Sequence, residues 1–163
     1  MKLEYSEFVN RFAAIYEHSA WVAAETASLT TEVDDVEKLA ELMADCVDNA
    51  STSKQLELIR AHPDLAGKAQ VAGELTEEST SEQASAGLDQ CSVEEYERFQ
   101  ALNTAYHEKF GFPFVMAVKN SSREEILGAF SDRLENDPAT EFETALAEIH
   151  KIARLRLRSM EVG

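Results

Sequence analysis

The segment SVEEYERFQALNTAYHEKFG, residues 92–111, decides the fold class of this chain. Ser92 and Glu95 have the spacing of a capping box, in which each side chain bonds to a backbone N–H at the start of a helix. Gly111 favours an end to that helix, because glycine adopts the left-handed conformation that follows many helix C-termini. Between these signals one face is defined by Tyr96, Phe99, Leu102, Asn103 and Tyr106. The segment therefore predicts a helix with one inward face.

The same helical period extends upstream of this segment. A first helix, opened by Ser6, is predicted to carry apolar side chains as far as Tyr16. A second is predicted over residues 36–47 and a third over residues 53–61. The third helix must end near His62, because a proline disfavours helical geometry in the residue before it.

Downstream, Ser122 and Glu125 repeat the capping box, and Asp137 followed by Pro138 has the pattern that opens a long last helix. Residues 112–118 are apolar throughout and predict a buried, extended segment. No multi-stranded pattern and no internal repeat is seen. The sequence therefore predicts an all-α, single-domain helical bundle that covers residues 1–163.

Residues 62–78 do not follow the helical period. They contain three residues that disfavour helix, namely Pro63, Gly67 and Gly73. We therefore expect a long functional loop after the third helix, since long loops inside compact domains tend to be functional or disordered. A short helix is predicted from about Ser81 to residue 86, with Gly87 as the left-handed residue that follows it.

The composition is typical of a soluble globular protein: 44% of the 163 residues are hydrophobic. The 31 acidic residues outnumber the 15 basic ones and give a formal net charge of −16. Such a charge disfavours nucleic acid and anionic membranes as partners, and no apolar run approaches the ~20 residues that span a bilayer. Cys46 and Cys91 form no ligand spacing and fit a reducing cytosol. An anionic substrate would need a local positive charge.

The histidines do not predict a metal site. His107 and Glu108 begin like a zinc motif, but Gly111 stands where a second histidine is required. His18 and His150 lie among polar neighbours, and we expect both in solvent. No phosphate-binding or dinucleotide-binding motif is present either.

Two titratable side chains border the predicted loop. His62 leaves the third helix beside Pro63, where an imidazole could exchange protons near neutral pH, or could bond to the last carbonyls of the helix. Glu82 completes a capping-box pattern that begins at Ser79. A glutamate anchored in this way could be purely structural or could serve in catalysis, and the sequence leaves both alternatives open.

The last helix is expected to place Arg156 on its inner face. The apolar stripe of this helix consists of Phe142, Ala145, Leu146, Ile149, Ile152 and Ala153. Arg156 occupies the next position of the stripe, whereas Arg154 and Arg158 continue the polar face. A buried guanidinium needs an anion or acceptors. It could cap carbonyls or pair with a core carboxylate, or it could bind a carboxylate or ureido oxygen of a substrate.

Several motifs, in order along nearly the whole chain, resemble the OHCU decarboxylase family. OHCU is 2-oxo-4-hydroxy-4-carboxy-5-ureidoimidazoline, the last intermediate before allantoin in urate oxidation. The motifs are HPDLAGK (62–68), GELT (73–76), STSEQASAGL (79–88), LNTAY (102–106), KFGFPF (109–114), EI (148–149) and IARLRL (152–157).

The resemblance implies a decarboxylase of purine breakdown that needs no cofactor or metal and converts this small ureidoimidazoline to (S)-allantoin. It implies that His62 and Glu82 are the catalytic residues and that Arg156 binds the substrate. The stretches that match the family's pocket lining are Pro63, Ser79, Thr80, Ser81, Gln83, Phe114, Val115, Met116, Ala117 and Val118. The family fold is all-α, and its members are often homodimers.

Two other functions stay open at this point. One is a non-enzymatic helical interaction domain in which Arg156 is paired internally, and the other is a lyase that acts on a related ureido acid. The C-terminal residues 161–163 lack the peroxisomal tripeptide of some eukaryotic family members. We therefore expect a stand-alone bacterial enzyme in the cytoplasm, not fused to the preceding hydrolase of the pathway.

Overall fold

The computed structural model describes residues 2–66 and 75–162, and these residues are helical apart from turns, loops and one isolated β-bridge between Lys2 and Glu32. A short 3-10 helix covers Leu88–Gln90. The α-helices in the described ranges are α1 (Tyr5–Phe12), α2 (Ala20–Leu29), α3 (Val36–Asp48), α4 (Thr52–Arg60), α5 (Glu77–Ser85), α6 (Val93–Phe110), α7 (Arg123–Leu134) and α8 (Pro138–Val162). The prediction of an all-α fold is confirmed.

Within those ranges, none of the helices combines the length and the apolar character that a membrane crossing requires.

The caps of the last three helices were predicted correctly. At α6, the Ser92 side chain accepts the N–H of Glu95 at 3.1 Å, and the Glu95 carboxylate accepts the N–H of Ser92 at 3.0 Å. A capping box of the same kind begins α7. Gly111 ends α6 with a φ of +76°, in the left-handed region that favours glycine. Asp137 accepts the N–H of Thr140 at 2.8 Å and begins α8.

The first two helices differ from the prediction. Helix α1 begins at Tyr5, so Ser6 lies inside it and does not open it as predicted. The helix ends at Phe12, and residues 13–19 continue in turns, as in the bond of 3.1 Å from the N–H of Ile15 to the carbonyl of Phe12. These turns keep Ile15 and Tyr16 buried although neither is in the helix. Helix α2 was not predicted, because its sequence AWVAAETASL is apolar on nearly all sides and shows no polar face. The helix before His62 is therefore the fourth.

The predicted loop is only partly described. Residues 62–66 are non-helical, as expected, and residues 67–74 lie outside the described residues. Helix α5 begins at Glu77, four residues before the predicted start at Ser81. The cap is Thr76, whose hydroxyl accepts the N–H of Ser79 at 3.2 Å. The predicted capping box from Ser79 to Glu82 is therefore wrong, because both residues lie inside the helix.

By its internal packing the chain divides into two compact units, Met1–Ala61 with Ile149–Gly163 and His62–Glu148. Helix α8 contributes residues to both. That the whole chain forms one domain stays a prediction. The first unit contains these fully or nearly fully buried apolar side chains: Phe8, Phe12, Val22, Met43, Val47, Leu58, Ile59, Ile149 and Leu157.

The second unit is built on an aromatic cluster around Tyr106. The ring centroid of Tyr106 lies 5.5 Å from that of Phe114 and 5.8 Å from that of Phe130. Phe114 and Phe130 stack with their centroids 3.9 Å apart. Because Phe114 belongs to the extended segment after α6, this cluster fixes the segment against helices α6 and α7.

Candidate active site

His62 follows the C-cap residue of α4 and is 8% exposed. Helix α4 ends at Arg60, and its C-cap is Ala61, whose N–H bonds back to the carbonyl of Glu57 at 2.9 Å. Pro63 then fixes the backbone away from helical geometry, as the sequence predicted. The imidazole is thus largely buried at the start of the second unit, while its backbone belongs to a non-helical segment.

Gln83 holds the loop that follows His62. Its Oε1 atom accepts the N–H of Ala66 at 3.0 Å, and its Nε2 atom donates to the carbonyl of Asp64 at 3.3 Å. Gln83 is 2% exposed. The Asp64 side chain also lies 2.7 Å from Nε2 of His107. The sequence predicted Gln83 as a substrate-binding residue; the observed contacts give it a structural role, and substrate binding stays a prediction.

Helix α6 supplies two further carboxamides to the same loop. Nε2 of Gln100 donates to the carbonyl of Ala66 at 2.8 Å, and Nδ2 of Asn103 donates to that of Leu65 at 3.1 Å. Asn103 is 4% exposed, and its Oδ1 atom has no hydrogen-bond partner among the described residues. Ala66 has a φ of +50°, a conformation that costs an alanine about 1–2 kcal/mol.

Helix α5 carries the other predicted site residues of this region on different faces. Ser79 and Gln83 are buried, and Glu82 is half-buried between them along the helix. Thr80 and Ser81 are exposed. Positions 79 and 83 lie one turn apart on the buried face of the helix, and Glu82, about 100° from Gln83 around the axis, lies at the edge of that face.

The extended segment 112–118 is buried at Phe114, Val115 and Val118 and half-buried at Met116 and Ala117, close to the prediction. Its backbone is held by charged side chains. Nη1 of Arg133 donates to the carbonyl of Val115 at 2.6 Å, and the N–H of Ala117 donates to Oε1 of Glu148 at 3.2 Å. The Arg133 guanidinium also lies over the Phe114 ring, 4.3 Å from its centroid.

Sequence reasoning missed the buried network around Arg133. Glu141, which is fully buried, accepts from Nε of Arg133 at 2.8 Å and from the hydroxyl of Tyr106 at 2.6 Å. Burial and the nearby Glu141 carboxylate raise the pKa of Tyr106, so its hydroxyl remains a donor. The helical period of α6 predicted that Tyr106 faces inward. Its partner Glu141 could not be predicted, because it lies 35 positions away in the sequence.

Arg156 lies in the first unit and is 7% exposed, so the prediction that it faces inward is confirmed. Its Nη2 atom donates to Oε2 of Glu17 at 2.9 Å, and its Nη1 atom donates to the carbonyl of Ala14 at 3.0 Å. Arg154 and Arg158 are exposed and both pair with Glu37, as expected of the polar face.

The prediction for His18 is confirmed and that for His150 is wrong. His18 is exposed. His150 has 22% of its side chain exposed; its Nδ1 atom lies 2.8 Å from the hydroxyl of Tyr16, and its Nε2 atom lies 3.0 Å from Oδ1 of Asp48. The polar neighbours of His150 in sequence concealed these partners, which come from distant parts of the same unit.

Comparisons with known proteins agree on one family. A family model described as OHCU decarboxylase matches residues 1–158. A 2-oxo-4-hydroxy-4-carboxy-5-ureidoimidazoline decarboxylase from Haloferax volcanii is 48% identical over 156 residues, which is 96% of this chain and 90% of that protein. A protein of the same name from Halalkalicoccus jeotgali is 47% identical over 155 residues, covering 95% of this chain and 85% of that protein.

A solved structure of an (S)-allantoin synthase superposes with a TM-score of 0.76 at 34% identity. The match covers 96% of this chain and 50% of that one, so this chain spans half the length of that protein. The motifs from residue 62 to residue 157 that carried the resemblance lie within the matched range. The chain belongs to the OHCU decarboxylase family.

Proposed function

We propose that this chain removes CO₂ from 2-oxo-4-hydroxy-4-carboxy-5-ureidoimidazoline and forms (S)-allantoin, the last step from urate to allantoin in purine breakdown. The observation that carries the proposal is the match of the chain to decarboxylases of this name, at 48% identity over 96% of its length. The two alternatives are a lyase that acts on a related ureido acid and a non-enzymatic interaction domain, and the experiment below distinguishes both from this proposal.

The chemistry needs no cofactor or metal in this proposal. When the carbon–carboxylate bond breaks, CO₂ leaves and its electron pair forms a C=C bond to the neighbouring ring carbon, while the electrons of the ring C=N bond pass to the nitrogen, which takes up a proton. The substrate hydroxyl then loses its proton and becomes a carbonyl, and the C=C electrons take up a proton at the neighbouring ring carbon, which carries the ureido group. Because the substrate takes up the electron pair itself, the protein has only to orient it, stabilise charge and move protons.

His62 and Glu82 are the proposed proton-handling groups. His62 would exchange a proton with the substrate hydroxyl or ring, and Glu82 would bond to the substrate or orient that transfer. The low exposure of His62 supports this role, because a buried group can deliver a proton to one face of a ring. Delivery from one face yields a single enantiomer of the product.

Arg156 is proposed to hold an anionic or carbonyl oxygen of the substrate, as the family resemblance implies. Backbone groups of residues 114–118 are proposed to bind the edge of the ring, beside pocket-lining positions at Pro63 and in residues 79–83. The fixed backbone of the extended segment supports such a role, because Arg133 and Glu148 restrain it.

Localisation in the cytoplasm and assembly as a homodimer are also proposed, on the strength of the family resemblance. Sedimentation equilibrium of the purified chain measures the second property directly, with a mass twice that of the 18.1 kDa chain as the expected result.

The deciding experiment supplies freshly prepared OHCU and follows its disappearance by ultraviolet absorbance and the appearance of (S)-allantoin by circular dichroism. We expect a rate far above spontaneous decay, a single enantiomer and the same rate after exhaustive chelation. Decay at the spontaneous rate would refute the proposal. Turnover of another ureido acid in preference to OHCU would instead establish the related lyase.

A further inference from the structure

Three carboxamide side chains hold three consecutive carbonyl groups just after His62. Gln83, Asn103 and Gln100 donate to the carbonyls of residues 64, 65 and 66, at 3.3, 3.1 and 2.8 Å. We call Gln83, Gln100 and Asn103 the carboxamide clamp. The three side chains come from α5 and α6, so two helices fix one short stretch of loop.

The backbone under the clamp is in a conformation that needs support. Ala66 has a φ of +50°, in the left-handed region that few residues adopt apart from glycine, asparagine and aspartate. A backbone conformation of this kind persists only where contacts with the surrounding structure fix it. Both polar backbone groups of Ala66 are bonded by the clamp, the N–H to Gln83 and the carbonyl to Gln100.

Asn103 is a polar side chain in a buried position. The residue is 4% exposed, and Oδ1 has no hydrogen-bond partner in the part of the chain that the structure describes. A leucine would fill nearly the same volume without burying a polar group. The feature that a leucine could not replace is the N–H that Asn103 donates to the carbonyl of Leu65.

We propose that Asn103 and Gln100 are positioning residues for His62, an inference that rests on the proposed function. They fix residues 64–66, and the ring of Pro63 transmits that restraint to the backbone from which the imidazole projects. Neutral amides suit the task, because they bind carbonyls without placing a charge near the imidazole. Catalysis is sensitive to such placement, since an error of about 1 Å can slow a reaction about 100-fold.

The test uses Asn103→Leu and Gln100→Met, which remove the N–H donors and add no charge. We expect kcat on OHCU to fall by about 10- to 100-fold, with KM changed by less than about threefold and unchanged far-ultraviolet circular dichroism. Gln55→Met is the matched control. Gln55 also donates to two backbone carbonyls, those of Val47 at 3.0 Å and Asp48 at 3.3 Å, and this variant should keep the wild-type kcat.

Two further measurements distinguish residues that position His62 from residues that only stabilise the fold. In a His62→Ala background, Asn103→Leu should not slow the residual reaction further, because the group on which it acts is absent. The NMR signals of the His62 imidazole should shift in Asn103→Leu and not in Gln55→Met. The NMR measurement needs no substrate, so it still tests the clamp if the wild-type chain fails to convert OHCU and the proposed function is lost.

The inference would be overturned by a wild-type kcat in both clamp variants, by equal slowing with and without His62, or by His62 signals that do not move. Loss of the helical spectrum in both variants would also overturn it, because the clamp would then serve folding alone.

Discussion

Arg156 and Glu17 form a buried ion pair, with Nη2 of the guanidinium 2.9 Å from Oε2 of the carboxylate and side-chain exposures of 6% and 2%. The arginine also donates to the backbone carbonyl of Ala14 at 3.0 Å. The sequence left three partners open for Arg156: the last carbonyls of its helix, a core carboxylate and a substrate oxygen. The carboxylate is observed, and the substrate oxygen is the proposal that the next prediction tests.

Arg156→Lys should lower kcat/KM by about 10- to 100-fold, which corresponds to the loss of one charge-assisted contact of about 1.5–3 kcal/mol. An ammonium cannot bond to Glu17, to a carbonyl and to a substrate oxygen with the planar geometry of a guanidinium. Steady-state kinetics with OHCU provide the measurement.

The controls for this substitution are Arg154→Lys and Arg158→Lys, at exposed positions that both pair with Glu37. Both should keep kcat/KM close to that of the wild type. If all three variants behave alike, Arg156 has no special part in binding the substrate.

Glu17→Ala should lower the free energy of unfolding by about 3–5 kcal/mol, because the buried guanidinium of Arg156 would lose this carboxylate. Urea unfolding followed by circular dichroism measures the change. Glu37→Ala is the control: Glu37 has two arginine partners but is exposed, and its loss should shift the unfolding midpoint little. Equal shifts in the two variants would contradict the distinction between a buried and an exposed pair.

The sequence predicted the parts of the fold that depend on local signals. The capping boxes that begin α6 and α7 involve side chains three residues apart, and both are observed. The start of α5 was misplaced because Ser79 and Glu82 mimic a capping box inside the helix. A second signal was available there, since Thr76 is followed by two acidic residues, a favourable first turn for a helix.

Partners that are distant in sequence could not be predicted. The apolar stripe of α8 predicted that Arg156 faces inward. Its partner Glu17 lies 139 positions away, and the sequence around neither residue indicates that the two form a pair. The same holds for Asn103, which the period of α6 placed inward without indicating the carbonyl of Leu65. Such pairs depend on tertiary packing, which residue periodicity does not encode.

His62→Asn should lower kcat by at least about 100-fold, because an amide cannot exchange a proton near neutral pH. The helical circular dichroism should be unchanged. His18→Asn is the matched control, since His18 is exposed and has a φ of +49° that asparagine tolerates. Near-normal turnover by folded His62→Asn would assign this histidine to structure.

Glu82→Gln should lower kcat strongly and change the thermal midpoint little. Glu82 lies within α5 and not at its cap, and glutamate and glutamine have similar helix propensities. The substitution therefore removes mainly the charge and the capacity to accept a proton. Glu77→Gln, at an exposed position in the first turn of the same helix, should keep full activity. Equal kcat in Glu82→Gln and the wild type would leave Glu82 without a catalytic role.

Asp137→Asn should change how stability depends on pH. The N–H of Thr140 bonds to Asp137 at the start of α8 and holds the pKa of this carboxyl below its usual range. The unfolded chain therefore binds the proton more tightly, so the stabilisation is complete well above pH 4 and is lost as the pH falls below about 4, through the pKa of the folded state. Asparagine caps a helix nearly as well but does not titrate. The wild type should thus be slightly more stable at pH 7, and the difference in urea midpoints should be smaller at pH 3. Asp137→Ala, which offers no acceptor, should be less stable than Asp137→Asn at both pH values. A gap between the wild type and Asp137→Asn that stays constant with pH would show that the charge of Asp137 contributes nothing to the cap.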